Sequence, residues 1–399
     1  MVFPFMNRIR PKRTGRPVMW MIVISFMMVP VCTHGQTWSW TKEDVDGWGK
    51  FTSIAVDQGG NIHLSYAGDG GSVLKYAFRS AGSAHWFTMV LDKQLQDFAT
   101  NLATDSHNNP SICYAPRELK YAHWDGHQWN IQRIAQGEGT IEYNCTIAVE
   151  RDGTPHVIWY HTRLADGSNF YHLRHAVLKE GVWMARTVDF DGEDGKWNSM
   201  VLDEQGNPHL TYSAFPEGLL RCAYWDGKNW VFQPGISAAN KLYNVGMGNS
   251  LVRTPQKELE LSFYEGPLQY GANGDRGSLK FAKQTGSTWS VETVDTVFQR
   301  GGWAGFRSSL VLDKRGFPHI SYEDDGTLKH AYWDGTHWRI QVVVAREMES
   351  FLFNSMAIDQ EDNLYIGYRD PHDGSLKVAV GRPLPEASTS PAAKQEKDR

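Results

Sequence analysis

Two segments of the sequence carry side chains that can exchange protons and bind an anion. His161 and Arg163 lie in one segment, and Tyr264 lies in the other. An arginine fork can neutralise a uronate carboxylate, while a histidine or tyrosine can remove a proton from carbon or protonate a leaving oxygen. This set suits elimination or hydrolysis of a polysaccharide, and we predict His161, Tyr264 and Arg163 as the catalytic residues.

Further aromatic and charged residues occupy neighbouring positions, and Arg307 is the alternative to Arg163 for binding a carboxylate. Aromatic faces stack on the apolar side of a pyranose, and arginine binds carboxylates or sulfates through two parallel hydrogen bonds. The competing interpretation is that exposed loops carry such residues without forming a site. We predict the following substrate-binding residues: Tyr160, Tyr143, Trp197, Glu265, Arg307, Glu323 and Arg369.

The elements that must position these side chains belong to one unit that occurs seven times. Each unit contains four short apolar–polar alternating segments separated by turns, which is the pattern of an all-β protein. A pitch of about 50 residues is typical of propellers. The residue that ends the first segment, here called the repeat acid position, is Asp57, Asp105, Glu150, Asp203, Thr254, Asp313 or Asp359.

The last unit lacks a fourth segment, since it stops after Gly381. The missing segment lies at the other end of the chain, where Trp40 precedes Val45 by the spacing found in the other units. Pairing this N-terminal strand into the last blade would close the ring and remove an exposed sheet edge. We therefore predict a seven-bladed β-propeller over residues 36–382, closed by its N-terminal strand.

Both ends of the chain differ from the repeats. Residues 1–35 hold a basic stretch, a short apolar run and small residues, which predicts a cleaved signal peptide and a secreted or periplasmic protein. The composition of residues 383–399, which is rich in proline, alanine, serine and charged residues, predicts a disordered tail. The net charge of −5, without a basic cluster in the mature chain, argues against nucleic-acid binding. We expect a monomer with no membrane span after cleavage.

The cysteines and acidic residues indicate no strong cofactor site. Cys113 and Cys145 are placed to pair in an oxidising compartment, but we favour three buried thiols that include Cys222. The segment from Asp189 to Gly195 resembles a calcium loop, although its spacing does not fit an EF-hand. We predict no cofactor and no metal, with calcium as the alternative.

Four histidines recur at one repeat position of the second strand. A role in packing or hydrogen bonding explains this recurrence better than catalysis, because catalysis needs one site rather than four. The four residues are His63, His156, His209 and His319.

The turns between third and fourth strands contain W-D-G-x-x-W, beginning at Trp124, Trp225 and Trp333. They resemble a shortened Asp-box turn of the sialidase-like (BNR-type) propellers, although Asp and Gly are adjacent here. The resemblance implies the propeller fold. Some propellers of this kind are polysaccharide lyases or glycosidases that act on uronate-containing glycans.

Two kinds of loop alternate around such a ring. The first-to-second and third-to-fourth turns, here called the turn side, are short and uniform; the other loops, here called the loop side, carry insertions in units three and five. Variable loops on a rigid scaffold concentrate function. We predict a glycan-directed role, either binding or cleaving an acidic polysaccharide on the loop side around the pore. Cleavage would make the protein a polysaccharide lyase or glycoside hydrolase; the alternatives are a non-catalytic lectin-like propeller and a protein-interaction propeller.

Overall fold

A computed structural model describes most of the mature chain. The described residues are 36–93, 99–115, 118–134, 140–165, 168–189, 193–215, 217–240, 243–267, 275–299, 307–346 and 353–384. The expected signal peptide at 1–35 and nearly all of the tail at 383–399 lie outside them. No helix among the described residues is long and apolar enough to cross a membrane.

The described strands form seven sheets of four. Blade one contains β2 (Lys50–Val56), β3 (Ile62–Gly68), β4 (Val73–Arg79) and β5 (Phe87–Asp92), with a 3-10 turn at Asp69–Gly71. Blade two contains β6 (Thr100–Thr104), β7 (Pro110–Tyr114), β8 (Lys120–Trp124) and β9 (Trp129–Arg133). Blade three contains β10 (Thr140–Val149), β11 (Pro155–Ala165), β12 (Ser168–Lys179) and β13 (Val182–Asp189). Blade four contains β14 (Glu193–Leu202), β15 (Pro208–Phe215), β16 (Leu219–Trp225) and β17 (Trp230–Ser237).

The remaining strands complete the ring. Blade five contains β18 (Tyr243–Arg253), β19 (Leu259–Pro267), β20 (Asp275–Thr285) and β21 (Thr288–Gln299). Blade six contains β22 (Ser308–Leu312), β23 (Pro318–Asp324), β24 (Thr327–Trp333) and β25 (Trp338–Val344). Blade seven contains β26 (Ser355–Ile358), β27 (Leu364–Arg369) and β28 (Leu376–Pro383), with β1 (Trp38–Asp46) as its outer strand.

The N-terminal strand closes the last blade, as the sequence predicts. The sheet order is β1-β28-β27-β26, and β1 pairs antiparallel with β28 so that Trp40 lies opposite Gly381. Trp38 is buried and packs edge-on against His319 and Tyr332 of blade six, with ring centroids 4.8 Å apart in both cases. The seven-bladed β-propeller fold is therefore confirmed.

Neighbouring blades are joined around the pore by small polar side chains of the innermost strands. Ser53 Oγ accepts a hydrogen bond of 3.0 Å from the backbone N–H of Leu102, and Ser355 Oγ accepts one of 3.3 Å from that of Ile54. These bonds run from one blade to the next. The same bond joins Asn101 to Ile147, Ser199 to Leu251, Ser250 to Leu310 and Ser309 to Met356.

A second set of bonds joins the blades near the loop side. Asp46 Oδ2 accepts hydrogen bonds from the Tyr66 hydroxyl at 2.6 Å and from Lys75 Nζ at 3.0 Å. Asp46 belongs to the blade that precedes those partners, so one carboxylate holds two strands of the next blade. Equivalent groups are Asp92, Tyr114 and Lys120; Asp189, Tyr212 and Arg221; and Asp295, Tyr322 and Lys329.

The recurring histidines are structural, which confirms the prediction from their repeat position. His63 bonds the Asp57 carboxylate at 3.1 Å and the Tyr76 hydroxyl at 2.7 Å. The other three take equivalent places beside an acid. These are His156, between Glu150 and His175; His319, against His330; and His209, stacked on Tyr224.

Two cysteines form a disulfide, so the expectation of three buried thiols is wrong. Cys113 in β7 is bonded to Cys145 in β10, with Cα atoms 6.2 Å apart. The bond joins blades two and three close to the pore. Cys222 remains a buried thiol.

Removal of β1 should destabilise the whole ring. A chain that begins at Gly47 loses Trp38 and leaves the edge of β28 unpaired, and loss of a buried tryptophan side chain costs about 3–5 kcal/mol. We expect a lower melting temperature, loss of cooperativity or aggregation, measured by circular dichroism and light scattering. A chain that ends at Leu384 is the control and should melt like the mature protein; equal melting of both truncations would refute closure by β1.

The stability of the protein should fall as the pH is lowered below about 6.5. Burial lowers the pKa of His63, His319 and His330 below its usual value. The unfolded chain therefore binds protons that the folded chain does not bind, and the free energy of unfolding decreases. Urea unfolding at about pH 7.5 and 5.5, a range in which most carboxylates stay ionised, measures the effect.

The matched variant for this measurement is His330→Tyr, which reproduces the tyrosine found at Tyr76 in blade one. It removes one titrating group, so its stability should depend less steeply on pH. A wild-type stability that is constant or higher at the lower pH would contradict this account.

Candidate functional site

A narrow polar cavity of about 140 Å³ lies at the centre of the ring. Small side chains from the start of each innermost strand form its wall, and their hydroxyl and amide groups give it a polar surface. The main wall residues are Thr52, Ser53, Thr100, Asn101, Thr146, Asn198, Ser199, Asn249, Ser250, Ser308, Ser309, Asn354 and Ser355.

The residue six positions before the repeat acid marks the mouth of this pore on the loop side. Four of these positions have positive φ, namely Phe51 at 54°, Trp197 at 45°, Gly248 at 56° and Phe353 at 48°. A positive φ is strained for bulky residues, and such strain concentrates at functional sites. Register shifts in blades one, four and five fall at the same place and let consecutive residues face the pore.

Bonds from the next blade hold this strained backbone. Thr52 Oγ1 donates to the Phe353 carbonyl at 2.7 Å, and Thr100 Oγ1 donates to the Phe51 carbonyl at 3.2 Å. The side chain of Asn249 donates to the Trp197 carbonyl in the same way. The mouth residues are thus fixed by the same polar strand segments that join the blades.

Arg307 places a positive charge at the pore mouth. Its Nη2 donates to Asn144 Oδ1 at 3.3 Å, from blade six to blade three across the ring. Desolvation lowers the pKa of Arg307 to about 10, so the guanidinium stays protonated at neutral pH. Among the described residues no carboxylate forms an ion pair with it, and its charge is available to an anionic group that enters the mouth.

Aromatic rings surround the same mouth. Trp197 is partly buried and lines the cavity beside Arg307. The rings of Phe51 and Phe353 are 4.4 Å apart, and Lys50 Nζ lies 5.1 Å from the centre of the Phe51 ring. The loop side of the pore therefore combines a cation with stacking surfaces, which is the combination expected for an acidic sugar.

The predicted residues of blade three lie within the sheet. His161 is buried on β11, opposite His172 of β12, and Tyr160 is buried and stacks on Tyr171 at 5.5 Å. The side chains of Arg163 and Tyr143 lie outside the described part of the chain.

The predicted residues of blades five and six connect neighbouring blades. The Tyr264 hydroxyl donates to the Glu323 carbonyl at 2.9 Å, and burial raises the Tyr264 pKa well above its usual value. Glu265 accepts a 2.7 Å hydrogen bond from the Ala239 backbone and lies 3.2 Å from Lys280. These contacts bring Tyr264 and Glu323 together between blades five and six. Neither residue lines the pore.

Arg369 ends β27, and its guanidinium is 6.0 Å from the centre of the Trp48 ring. Of the segment expected to resemble a calcium loop, Asp189 bonds Tyr212 and Arg221, while residues 190–192 lie outside the described part. The residues that the structure describes contain no group of three or more metal-ligating side chains placed to hold an ion. Calcium binding stays a prediction.

Sequence reasoning missed Asn144, Phe51 and Phe353. The signal that could have found them is their shared position, six residues before the repeat acid, where Arg307 and Trp197 also stand. Aligning the starts of the first strands, rather than the loops, selects the residues of the mouth.

The fold is similar to those of several solved proteins. An ulvan lyase of a new polysaccharide lyase family, bound to -[GlcA(1-4)Rha3S]-, has 12% identity over 85% of this chain and 95% of its own, with a TM-score of 0.57. A mutant of the Aleuria aurantia lectin in complex with alpha-methyl-L-fucoside has 14% identity over 78% of this chain and 100% of its own, with a TM-score of 0.50. A fungal alcohol oxidase in complex with copper has 12% identity over 88% of this chain and 78% of its own, with a TM-score of 0.57.

These similarities show the propeller fold alone, because identities of this size do not carry function from one chain to another. The neighbours include carbohydrate-binding lectins and polysaccharide lyases, whereas the sialidase type is not among those named above. No protein-family model and no curated protein matches the sequence.

Replacement of Tyr264 by phenylalanine should lower stability. The change removes the hydroxyl that satisfies a buried carbonyl, and an unsatisfied buried group costs about 1–3 kcal/mol. Thermal unfolding measures the loss, with Tyr224→Phe as a control, because the Tyr224 hydroxyl makes no hydrogen bond among the described residues. Unchanged stability of Tyr264→Phe together with lost activity on a glycan would instead indicate a catalytic role.

Proposed function

We propose that this protein is a secreted propeller that binds an acidic polysaccharide across the pore mouth on its loop side. The observation that carries the proposal is Arg307, a cation held at the centre of a polar mouth with an amide, Asn144, as its hydrogen-bond partner. A uronate carboxylate or a sulfate supplies the charge that this guanidinium can bind in bidentate fashion.

The size of the cavity fixes which part of the ligand enters. A volume of about 140 Å³ is below the 300–1,000 Å³ of usual ligand pockets. A carboxylate or sulfate substituent fits this space, whereas the sugar chain must stay outside it. Trp197 at the pore mouth then offers a ring on which a pyranose can stack.

Two features support secretion. Residues 1–35 have the composition of a signal peptide. The Cys113–Cys145 disulfide is the kind of bond that persists in oxidising compartments such as the periplasm or the extracellular space. We expect the mature protein to act there as a monomer.

Cleavage is the second candidate function, with His161, Tyr264 and Arg163 as the proposed catalytic residues. In elimination, Arg163 or Arg307 would neutralise the uronate carboxylate, His161 would remove the proton at C5, and Tyr264 would protonate the leaving oxygen. His161 and Tyr264 are buried within their blades. Binding at Arg307 is therefore the function that the geometry supports best.

Replacement of Arg307 tests the proposal. Arg307→Gln keeps a polar, though shorter, hydrogen-bonding side chain and removes the charge, so the affinity for polyglucuronate or polygalacturonate oligosaccharides should fall about tenfold or more. Isothermal titration calorimetry measures the affinity, and melting temperatures show whether the fold is intact. Arg133→Ala is the control, because Arg133 lies on an outer strand and pairs with Glu118.

The wild-type affinity should decrease with added salt, and neutral dextran should not compete for the site. Absorbance at about 235 nm reports unsaturated uronate and separates elimination from binding. Equal affinity of Arg307→Gln and the wild-type protein, or absence of binding to every acidic oligosaccharide, would refute the proposal.

A further inference from the structure

A larger cavity of about 470 Å³ lies on the turn side, between blades five and six. Its size falls in the range of ordinary small-ligand pockets. Strands β19 to β21 form one wall, and the two turns of blade six form the other. It is separate from the pore and does not contain any residue discussed above as part of the mouth.

Aromatic side chains line this cavity. Trp333 and Trp338, at the two ends of a W-D-G-x-x-W turn, have ring centroids 5.8 Å apart. Phe281 packs edge-on against Trp338 at 5.2 Å, and Phe317 lines the side formed by blade six. Tryptophan rings beside a cleft of this size are suited to stacking against a sugar ring.

The cavity also contains a buried acid, Glu260, which is 4% exposed. One of its oxygens lies 3.4 Å from Lys283 Nζ. The other, Oε2, is buried and has no hydrogen-bond partner among the described residues. A buried carboxylate oxygen without a donor is costly, and a ligand hydroxyl that donates to it would remove that cost.

Blade five differs from the other blades at this position. Glu260 stands where four blades have the recurring histidine, and Thr254 stands where six blades have an acid. Phe281 replaces the tyrosine of Tyr76, which bonds the histidine in blade one. In blade one these groups satisfy one another, whereas in blade five they are replaced by an acid with one oxygen, Oε2, that has no donor among the described residues.

Two equivalent interfaces lack this feature. The cavity between blades one and two, of about 450 Å³, contains a Trp124–Trp129 pair, but there His63 bonds both Asp57 and Tyr76. Between blades three and four, the guanidinium of Arg186 lies 4.1 Å from the centre of the Trp225 ring and covers it. Only the interface of blades five and six, of these three, combines an open tryptophan pair with a free acceptor.

The charges around the cavity largely pair with one another. Lys283 lies near both Glu258 and Glu260, and Arg315 pairs with Asp313. Trp338 Nε1 donates to Glu292. A ligand with strong net charge therefore gains little here, whereas a neutral ligand with hydroxyl donors matches the free oxygen.

We propose that the cavity between blades five and six is a second saccharide site, which takes a neutral sugar residue. The sugar stacks on Trp333 and donates a hydroxyl hydrogen bond to Glu260 Oε2. The proposal does not depend on the acidic-glycan site, since the two sites lie on different sides of the ring and share no residue.

Titration of the mature protein with neutral sugars tests this proposal. The probes are methyl glycosides of glucose, galactose, mannose, fucose and xylose at millimolar concentrations. Tryptophan fluorescence and calorimetry measure their binding. We expect one saturable site per chain. Trp333→Ala should weaken binding about tenfold or more, and Glu260→Gln should weaken it several-fold while keeping the shape of the side chain.

Two control variants separate the sites. Trp225→Ala removes the equivalent tryptophan of blade four, which Arg186 covers, and should leave neutral-sugar binding unchanged. Arg307→Gln should likewise leave it unchanged, so failure of the acidic-glycan proposal and failure of this one are distinguishable. Absence of saturable binding to every neutral glycoside, or full binding by folded Trp333→Ala, would overturn the second site.

Discussion

The structure depends on polar contacts between the innermost strands of adjacent blades. A serine or asparagine four residues before the repeat acid, such as Ser53, accepts a hydrogen bond from the next blade, here from Leu102. The side chain one residue earlier, such as Thr52, donates to a carbonyl of the preceding blade. Because these side chains are short, seven strands can approach the axis closely, and the space that remains is a narrow polar pore.

The same constraint creates the candidate site. At four of the seven equivalent positions, including Phe51 and Trp197, the innermost strand begins in a left-handed conformation. These strained residues carry the side chains at the mouth. Arg307 stands at the equivalent position, so its charge is fixed at the centre of the ring instead of on a mobile loop.

The repeat made the fold predictable, while the site was only partly so. A period of about 50 residues and the missing strand after Gly381 predict seven blades and closure by β1. Arg307 and Trp197 are predicted and do line the pore, whereas Tyr264 and Glu323, which are predicted for the loop-side site, are buried. Sequence spacing cannot show that a side chain after the second strand turns inward. Nor could spacing decide that Cys113 and Cys145 are close enough to bond, because they belong to different blades.

The most direct measurement is a crystal structure of the mature protein with an unsulfated glucuronate-containing tetrasaccharide. The account predicts that one carboxylate lies within hydrogen-bond distance of the Arg307 guanidinium at the pore mouth, and that the adjoining pyranose stacks on Trp197. A tetrasaccharide bound elsewhere on the ring, with the pore mouth empty, would contradict it.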